Sequence, residues 1–313
     1  MIDFRYHLVS IVSIFMALAV GIVLGAGPLK EDIGNTLTSE VKNLRADKAA
    51  LRGELDVAEK GTQARDEFTA ASNRSLLADR LKGTTVTVVV LPGADGNLVK
   101  TTQGTLAAAG ATVGSTISVQ DNWIDPDKAA FRATLGQQLA SQVGVPIDQS
   151  GGDVVDAVLA RSVLAKAGST AAGAAAALEG LRTGDLIRYT PDKVTASSIA
   201  VVVAAPVTGS DATLREQRAT SLSRLAGALD AAGAGAVLIA PSVAAGATNA
   251  TSVVSTARAD GDQSKLLSTV DNGELPMGQA SLVFAILEQQ AGKSGQYGLA
   301  SDAAAAFPQL ATK

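Results

Sequence analysis

Cysteine, histidine and methionine, the side chains that bind soft metals, are scarce in this 313-residue chain. It has no cysteine, a single histidine, His7, and three methionines, Met1, Met16 and Met277. Without cysteine it cannot form a disulfide or a thiolate metal site. Because no imidazole follows His7, no Ser–His–Asp or Cys–His arrangement can be assembled in the rest of the chain. Catalysis by carboxylates alone stays open, but no pair stands out, so we predict a non-enzymatic protein without a cofactor.

Two short polar segments are the remaining candidates for a ligand or metal site. The turn Pro92–Gly96 follows an apolar strand, where α/β folds bind ligands, but it is neither a GxGxxG nor a Walker loop. Asp121, Asp125 and Asp127 surround Trp123, but their spacing differs from that of an EF-hand loop. Asp-Pro is also a common helix start. We interpret both segments as turns, with a phosphate site and a cation site as the less favoured alternatives, and we predict no metal site.

An N-terminal segment has the length and composition of a membrane anchor. Leu8 to Ala26 is a run of 19 residues without a charge, which as a helix would reach roughly 28 Å, close to the thickness of a hydrocarbon core. Pro28 then ends the helix. We predict that residues 1–28 are a short tail and a retained anchor. A cleaved signal peptide is less favoured because its apolar run is shorter and its N-terminal region more basic; a buried core helix is the other alternative.

The orientation of this anchor does not follow from charge alone. Arg5 precedes the apolar run, whereas Lys30, Lys42 and Arg45 follow it, so the positive-inside rule does not favour an inside N-terminus. A seven-residue tail is nevertheless typical of the cytoplasmic stub of a signal anchor, and long domains translocate largely regardless of charge. We therefore expect a single-pass protein of the cell membrane whose C-terminal domain is extracytoplasmic; the outer membrane is the less favoured location.

The same apolar segment carries a stripe of small side chains. Ser13, Ala17, Gly21 and Gly25 recur every four residues and end in a GxxxG pattern. Such a stripe allows two helices to approach closely in lipid. Glycine and alanine are common in membrane helices anyway, but four in register favour self-association of this helix.

Residues 29–82 show the heptad pattern of a coiled coil. The predicted interface residues alternate spacings of four and three: Leu37, Val41, Leu44, Lys48, Leu51, Leu55 and Ala58. All are apolar except Lys48. Val41, Lys48 and Leu55 occupy a positions of the heptad, and the other four occupy d positions. A lone Lys at a weakens the seam but favours two strands. In a parallel dimer a g residue faces the e residue five positions later on the partner. Three such pairs occur, two attractive and one repulsive: Glu40–Arg45, Asp47–Arg52 and Glu54–Glu59.

Charge and topology together favour a parallel homodimer, because two chains anchored in one membrane by the preceding helix must run in the same direction. The alternative is one amphipathic helix that packs on its own domain. Beyond Ala58 the seam becomes polar at Thr62 and Arg65, so we expect pairing to fray toward Leu81.

Residues 83–313 are predicted to form an α/β domain. Five segments have strand character: Thr85–Leu91, Ala111–Val119, Ile199–Ala204, Ala236–Ala240 and, less clearly, Leu266–Val270. Helical patterns alternate with them: Leu98–Ala109, Pro126–Val143, Asp153–Leu181, Ala212–Ala232 and Gly278–Ala291. This alternation predicts βαβ units and a mostly parallel sheet. Ala244–Thr256 is low in complexity and is expected to be a mobile loop.

The chain resembles a known family over its whole length. The resemblance lies in the N-terminal MIDFRYHLVSIVSIFMALAVGIVLGAGPL, in VTVVVLPGA after the coiled coil, and in the C-terminal TVDNGELPMGQASLVFAILEQQAGKSGQYG. These segments are similar to the mycobacterial copper transport protein B family of actinobacteria. The resemblance implies a role in copper homeostasis, as a proposed outer-membrane channel or efflux protein. Other members look like cell-separation factors that act at the septum with a membrane-bound partner.

The residues themselves favour a different emphasis. Copper(I) prefers Cys and Met, and copper(II) accepts His, yet the soluble part offers only Met277. An outer-membrane barrel needs many strands of about ten alternating residues, which this sequence lacks.

Our first interpretation is therefore a membrane-anchored dimer that presents its α/β head to a membrane-bound protein partner. The alternative is a copper transport or efflux component, with copper as a partner only by resemblance. The net charge of −4, without a basic patch, argues against nucleic acid.

Overall fold

The computed structural model describes residues 4–25, 29–146, 151–166, 171–244 and 246–309. The chain divides into two compact units, residues 1–65 and residues 66–313. The N-terminal apolar helix and the mixed α/β domain that we predicted are both present.

The first unit is helical. Helix α1 spans Phe4–Gly25, and helix α2 spans Leu29–Leu76. With 48 residues α2 is about 72 Å long, far beyond the mean helix of a globular domain. Its last turns belong to the second unit, where Leu77 is buried just after the helix. Turns then lead to Gly83, whose φ of +82° suits a residue without a side chain.

The second unit alternates strands and helices. The strands are β1 (Thr85–Val90), β2 (Thr112–Val119), β3 (Ile187–Thr190), β4 (Ile199–Val203), β5 (Val207–Thr208), β6 (Gly235–Ile239), β7 (Ala250–Thr251), β8 (Ser268–Val270) and β9 (Gln296–Tyr297). The helices are α3 (Gly96–Ala108), α4 (Ala129–Ala140), α5 (Gly151–Val163), α6 (Ala174–Thr183), α7 (Ala212–Ala232), α8 (Val253–Ala259) and α9 (Pro276–Gln290). Short 3-10 turns lie at Asp121–Trp123, Pro126–Lys128 and Gln263–Lys265.

Seven strands form one sheet in the order β3-β2-β1-β4-β6-β8-β9. All neighbouring strands are parallel except β3, which runs antiparallel to β2. The strand order reverses between β1 and β4, so the crevice beyond the carboxyl ends of these two strands is the usual ligand position in such a sheet. Strands β5 and β7 form a separate antiparallel ladder.

The sheet is covered by helices on both faces. This explains its near-continuous apolar strands, since a parallel sheet buries both of its sides. One face, with Val89, Val202 and Leu238, packs in the same hydrophobic cluster as residues of α5 and α7. The opposite face, with Val88, Val201 and Ile239, clusters with residues of α3 and α9 and with Leu77.

Three details differ from our expectations. The predicted helix Asp153–Leu181 is two helices, α5 and α6; Leu164 pairs with Ser197 between them, and residues 167–170 lie outside the described part. The segment Ala244–Thr256, expected to be a loop, contains strand β7 and the start of α8. Strands β3 and β9 were missed because they are short and occupy the edges of the sheet, where few apolar residues mark them.

Candidate functional site

Helix α1 presents only exposed side chains. It is the one helix of the described residues that is long and apolar enough to cross a membrane, with no Asp, Glu or Lys within it. An unpaired apolar helix is costly in water, because burial of apolar surface is what drives folding, whereas lipid accepts it. The helix therefore supports membrane anchoring. Ala26 and Pro28, where we predicted its end, lie outside the described residues.

The small-residue stripe of α1 is open to neighbours. No heavy atom lies within 4 Å of a Cβ built on Gly21 or Gly25. The Ser13 hydroxyl donates to the Val9 carbonyl oxygen at 2.9 Å, so its hydrogen bond is made inside the helix. Packing of two copies through Ser13, Ala17, Gly21 and Gly25 stays a prediction.

Helix α2 carries the predicted heptad face uncovered. Leu44 is 67% exposed, and Leu37, Leu51 and Leu55 are exposed to a similar degree. Val41, Lys48 and Ala58 are exposed as well. A row of exposed leucines along one helical face is unusual for a surface in water and is typical of an interaction face. Pairing of this face with another helix stays a prediction.

The turn Pro92–Gly96 serves the fold. Gly93 has a φ of +78°, which favours glycine. The Asp95 carboxylate accepts hydrogen bonds from the backbone N–H groups of Asn97 and Leu98, at 2.8 and 3.0 Å. Asp95 is thus the N-cap of α3 and occupies the position at which a phosphate would bind a helix N-terminus.

The aspartates around Trp123 also have structural contacts. Asp125 accepts from the backbone N–H of Asp127 at 3.0 Å, and the Trp123 indole N–H donates to Asp156 at 3.1 Å. Arg132 donates to the carbonyl oxygen of Asp125. Within the described residues no group of three or more His, Cys, Asp or Glu side chains is placed to hold a metal ion.

A buried charge cluster, which the sequence did not reveal, lies at the carboxyl end of β8. The Arg258 guanidinium contacts Asp271 at 2.6 Å and Asp302 at 2.7 Å. It also donates to Thr269 and to the Tyr297 carbonyl oxygen, each at 2.8 Å. The cluster ties the segment after β9 to the sheet. Asp271 belongs to the C-terminal TVDNGELPMG motif, which was the only available signal.

Burial and hydrogen bonds shift the pKa values of two side chains in and beside this cluster, Asp302 and Tyr297. Burial alone would raise the pKa of Asp302, but hydrogen bonds from Ser255 and Arg258, with the charge of Arg258, lower it. Burial, together with the hydrogen bond to Glu288, raises the pKa of Tyr297. Asp302 is thus held ionised, which suits its pairing with Arg258.

The described side chains with copper chemistry lie on two helices, α1 and α9. His7 and Met16 both lie on α1, nine residues apart, which puts them about 180° apart around the helix. Met277 lies half-buried in the first turn of α9. No single helix therefore brings two of these donors together.

Comparison with known proteins gives one consistent family. The family model described as copper transport outer membrane protein, MctB, matches residues 1–308. A protein named copper transporter MctB from Mycobacterium tuberculosis (strain ATCC 25618 / H37Rv) is 27% identical over 309 residues, covering 95% of this chain and 96% of the relative. The protein of the same name from Mycobacterium leprae (strain TN) is 26% identical over 317 residues, covering 96% of each.

Proposed function

Because this chain belongs to the family of copper transport outer membrane proteins, MctB, we propose that it is a membrane-anchored, non-enzymatic component of copper transport in the cell envelope. The match over residues 1–308 carries this proposal, because it includes α1 and α2 as well as the α/β unit. The names of the relatives favour the copper role that we had placed second over the partner-presenting role that we had placed first.

In this proposal α1 anchors the chain and the α/β unit lies outside the cytoplasm. The exposed, apolar surface of α1, whose only charged side chain is Arg5 near its start, supports the anchor. This orientation is compatible with the charges near the anchor, since long domains translocate largely regardless of charge. An alkaline phosphatase fusion after Lys313 should be active and a fluorescent fusion dark; the reverse result would contradict the orientation.

We further propose that α2 pairs with α2 of a second copy as a parallel coiled coil. The exposed leucines at heptad spacing support pairing, and two of the three interchain charge pairs support the parallel direction. Lys48 at an a position restricts the pair to two strands.

The chain offers a matched control for the dimer. Val57 is 70% exposed, like the seam leucines, but lies about 200° around the helix from Leu55. Leu44→Asp with Leu51→Asp should weaken association by about a hundredfold or more, because each charge would be buried without a partner. Val57→Asp should leave it unchanged. Sedimentation of the full-length protein in detergent measures both; a monomeric wild type, or loss of the dimer only in Val57→Asp, would refute the seam.

Copper is the cargo in this proposal, and the α/β unit does not hold it. A specific copper(I) site needs two or three soft ligands that converge, and this unit contributes only Met277. The remaining donors, His7 and Met16, lie on α1. Two copies of His7 or of Met16 meet only if two α1 helices pack together, with Met16 next to the small-residue stripe at Ala17.

The function is tested by deletion of the gene in its host. Copper tolerance should fall and cell-associated copper should rise, and the wild-type gene should restore both. Unchanged copper tolerance would refute the copper role.

The second candidate function is a scaffold for cell separation that presents the α/β unit to a membrane-bound protein. The scarcity of soft donors in that unit, where Met277 is the only sulfur and there is no imidazole, is the observation that favours it. A deletion strain with normal copper tolerance but a septation defect would move this function to first place. Purification of native complexes from membranes would then identify the partner.

A further inference from the structure

A groove of about 320 Å³ lies in the α/β unit where the last turns of α2 meet α3 and the start of α9. Three segments distant in sequence line it. The end of α2 contributes Arg74 and Leu77, α3 contributes Gly104 and Ala108, and the start of α9 with the residues before it contributes Glu274 and Gln279. Glu274 and Gln279 belong to the C-terminal motif DNGELPMGQ, for which the proposed function gives no role.

The groove exists because α3 presents small side chains to it. No heavy atom lies within 4 Å of a Cβ built on Gly104, and Ala108 follows one turn later on the same face. Leu77 and Pro276 give the groove an apolar side. The Asn73 amide N–H donates to the Pro276 carbonyl oxygen at 2.8 Å, which holds the α2 wall against the start of α9.

Gln279 contributes an unsatisfied acceptor. The residue is 3% exposed, and its amide nitrogen donates to the Gly273 carbonyl oxygen at 2.6 Å and to Thr102 at 3.3 Å. The Gly273 carbonyl oxygen can only accept, so it fixes which end of the amide is the nitrogen. The Oε1 atom has no hydrogen-bond partner. A buried carbonyl oxygen without a donor is costly, and because this atom is itself buried, Gln279 forms part of the closed floor of the groove.

Two opposite charges complete the lining. Both oxygens of the Glu274 carboxylate are held by Ser242, one by its backbone N–H at 3.0 Å and the other by its hydroxyl at 2.5 Å. The carboxylate is therefore fixed before any ligand arrives. Among the described residues neither Glu274 nor Arg74 forms an ion pair.

We propose that this groove binds a small zwitterionic amino compound of the amino-acid class with an apolar side chain. Its ammonium group pairs with Glu274, and its carboxylate pairs with Arg74. The apolar side chain lies against Leu77 and Ala108. The inference does not rest on the copper role, and its failure would leave that role untouched.

Three probes of nearly equal shape separate the contributions of the charges. L-leucine carries both charges, leucinamide only the ammonium, and 4-methylpentanoate only the carboxylate. Calorimetric titration of the full-length protein in detergent should show binding of L-leucine, with each single-charge probe at least about tenfold weaker because one charge-assisted contact is lost. Absence of L-leucine binding, or equal binding of all three probes, would overturn the proposal.

Variants locate the site without disturbing the fold. Gly104→Leu should fill the groove and abolish binding, whereas Gly96→Leu, also at an open position of α3, should bind as the wild type does. Glu274→Gln should weaken leucinamide but leave 4-methylpentanoate unchanged, and Arg74→Gln should do the opposite. L-leucine binding that survives Gly104→Leu, in a variant with unchanged melting temperature, would place the ligand elsewhere and refute the assignment.

Discussion

Arg258 is the residue whose replacement should destabilise the α/β unit most clearly. Its side chain and that of Asp271 are only 3% and 6% exposed. Arg258→Met keeps the length and apolar stem but removes the guanidinium and its four hydrogen bonds. Asp302 lies nearer the surface, where water can hydrate its carboxylate. Most of the loss in unfolding free energy should therefore come from the buried carboxylate of Asp271.

The magnitude follows from what remains around Asp271. Loss of one partner of a buried ion pair costs about 3–5 kcal/mol, because the other charge is left uncompensated. Asp271 still accepts hydrogen bonds from the backbone N–H groups of Leu299 and Ala300, which places the cost near the lower limit, about 3 kcal/mol. For a domain of this size the melting temperature should fall by roughly 6–12 °C.

Thermal unfolding followed by circular dichroism measures this change, and hydrogen exchange at the amides of Leu299 and Ala300 locates it. Arg182→Met is the matched control, because Arg182 pairs with Glu179 at the surface, where solvent screens the pair, so its loss should leave the melting temperature nearly unchanged. Arg258→Met with Asp271→Asn should be less unstable than Arg258→Met alone, since the only carboxylate left unpaired is the more exposed Asp302. Equal stability of the Arg258 and Arg182 variants would refute the reasoning.

Three further predictions concern the coil, the pH dependence and copper. Lys48→Leu should tighten dimerisation and relax the preference for two strands, measured by sedimentation equilibrium; weaker association would contradict the seam. The pKa of Asp302 is lowered in the fold, so its contribution to stability is complete above about pH 4, the ordinary value, and is lost as the pH falls through its lower folded-state value. Asp302→Asn should therefore lower stability at neutral pH and flatten its fall in acid, measured by urea unfolding at several pH values. Full-length protein with His7→Ala and Met16→Leu should bind copper(I) no more tightly than an unrelated protein in competition with a copper(I) chelator; tight stoichiometric binding would show a copper(I) site that does not need His7 or Met16.

The central sheet could be predicted because its strands are marked by uninterrupted apolar residues. Thr85–Leu91, Ile199–Ala204 and Ala236–Ala240 indicate buried parallel strands; β1 and β4 lie within the first two ranges, and β6 begins one residue before the third. The edge strands gave no such signal. Strand β3 alternates Ile187 and Tyr189 with polar residues over four positions, and β9 has only two residues. Long-range pairing places these segments in the sheet, and local sequence does not encode that pairing.

The heptad face of α2, the groove and the Arg258 cluster also differ in how far local sequence predicts them. The heptad of α2 is a local pattern, so the sequence alone placed Leu44 and Leu51 on one face. The groove at Gln279 depends on the approach of three segments separated by many residues, and the Arg258 cluster joins residues 13 and 44 positions apart. Spacing rules within one helix or strand do not reach such contacts. The only sequence signal for the groove and for the Arg258 cluster was the TVDNGELPMG motif, which contains residues of each.

Copper binding by this chain should depend on dimerisation, because one chain alone supplies too few converging ligands for one ion. One chain supplies His7 and Met16 on opposite sides of α1, so it cannot direct both at one ion, whereas a symmetric pair doubles each donor. A copper path built from paired α1 helices should therefore lose function when Leu44→Asp with Leu51→Asp separates the α2 helices, and should keep it in Val57→Asp. If copper tolerance survives in the seam variant while sedimentation shows a monomer, the copper ligands must come from another protein. The chain would then contribute its anchor and its α/β unit rather than a metal path.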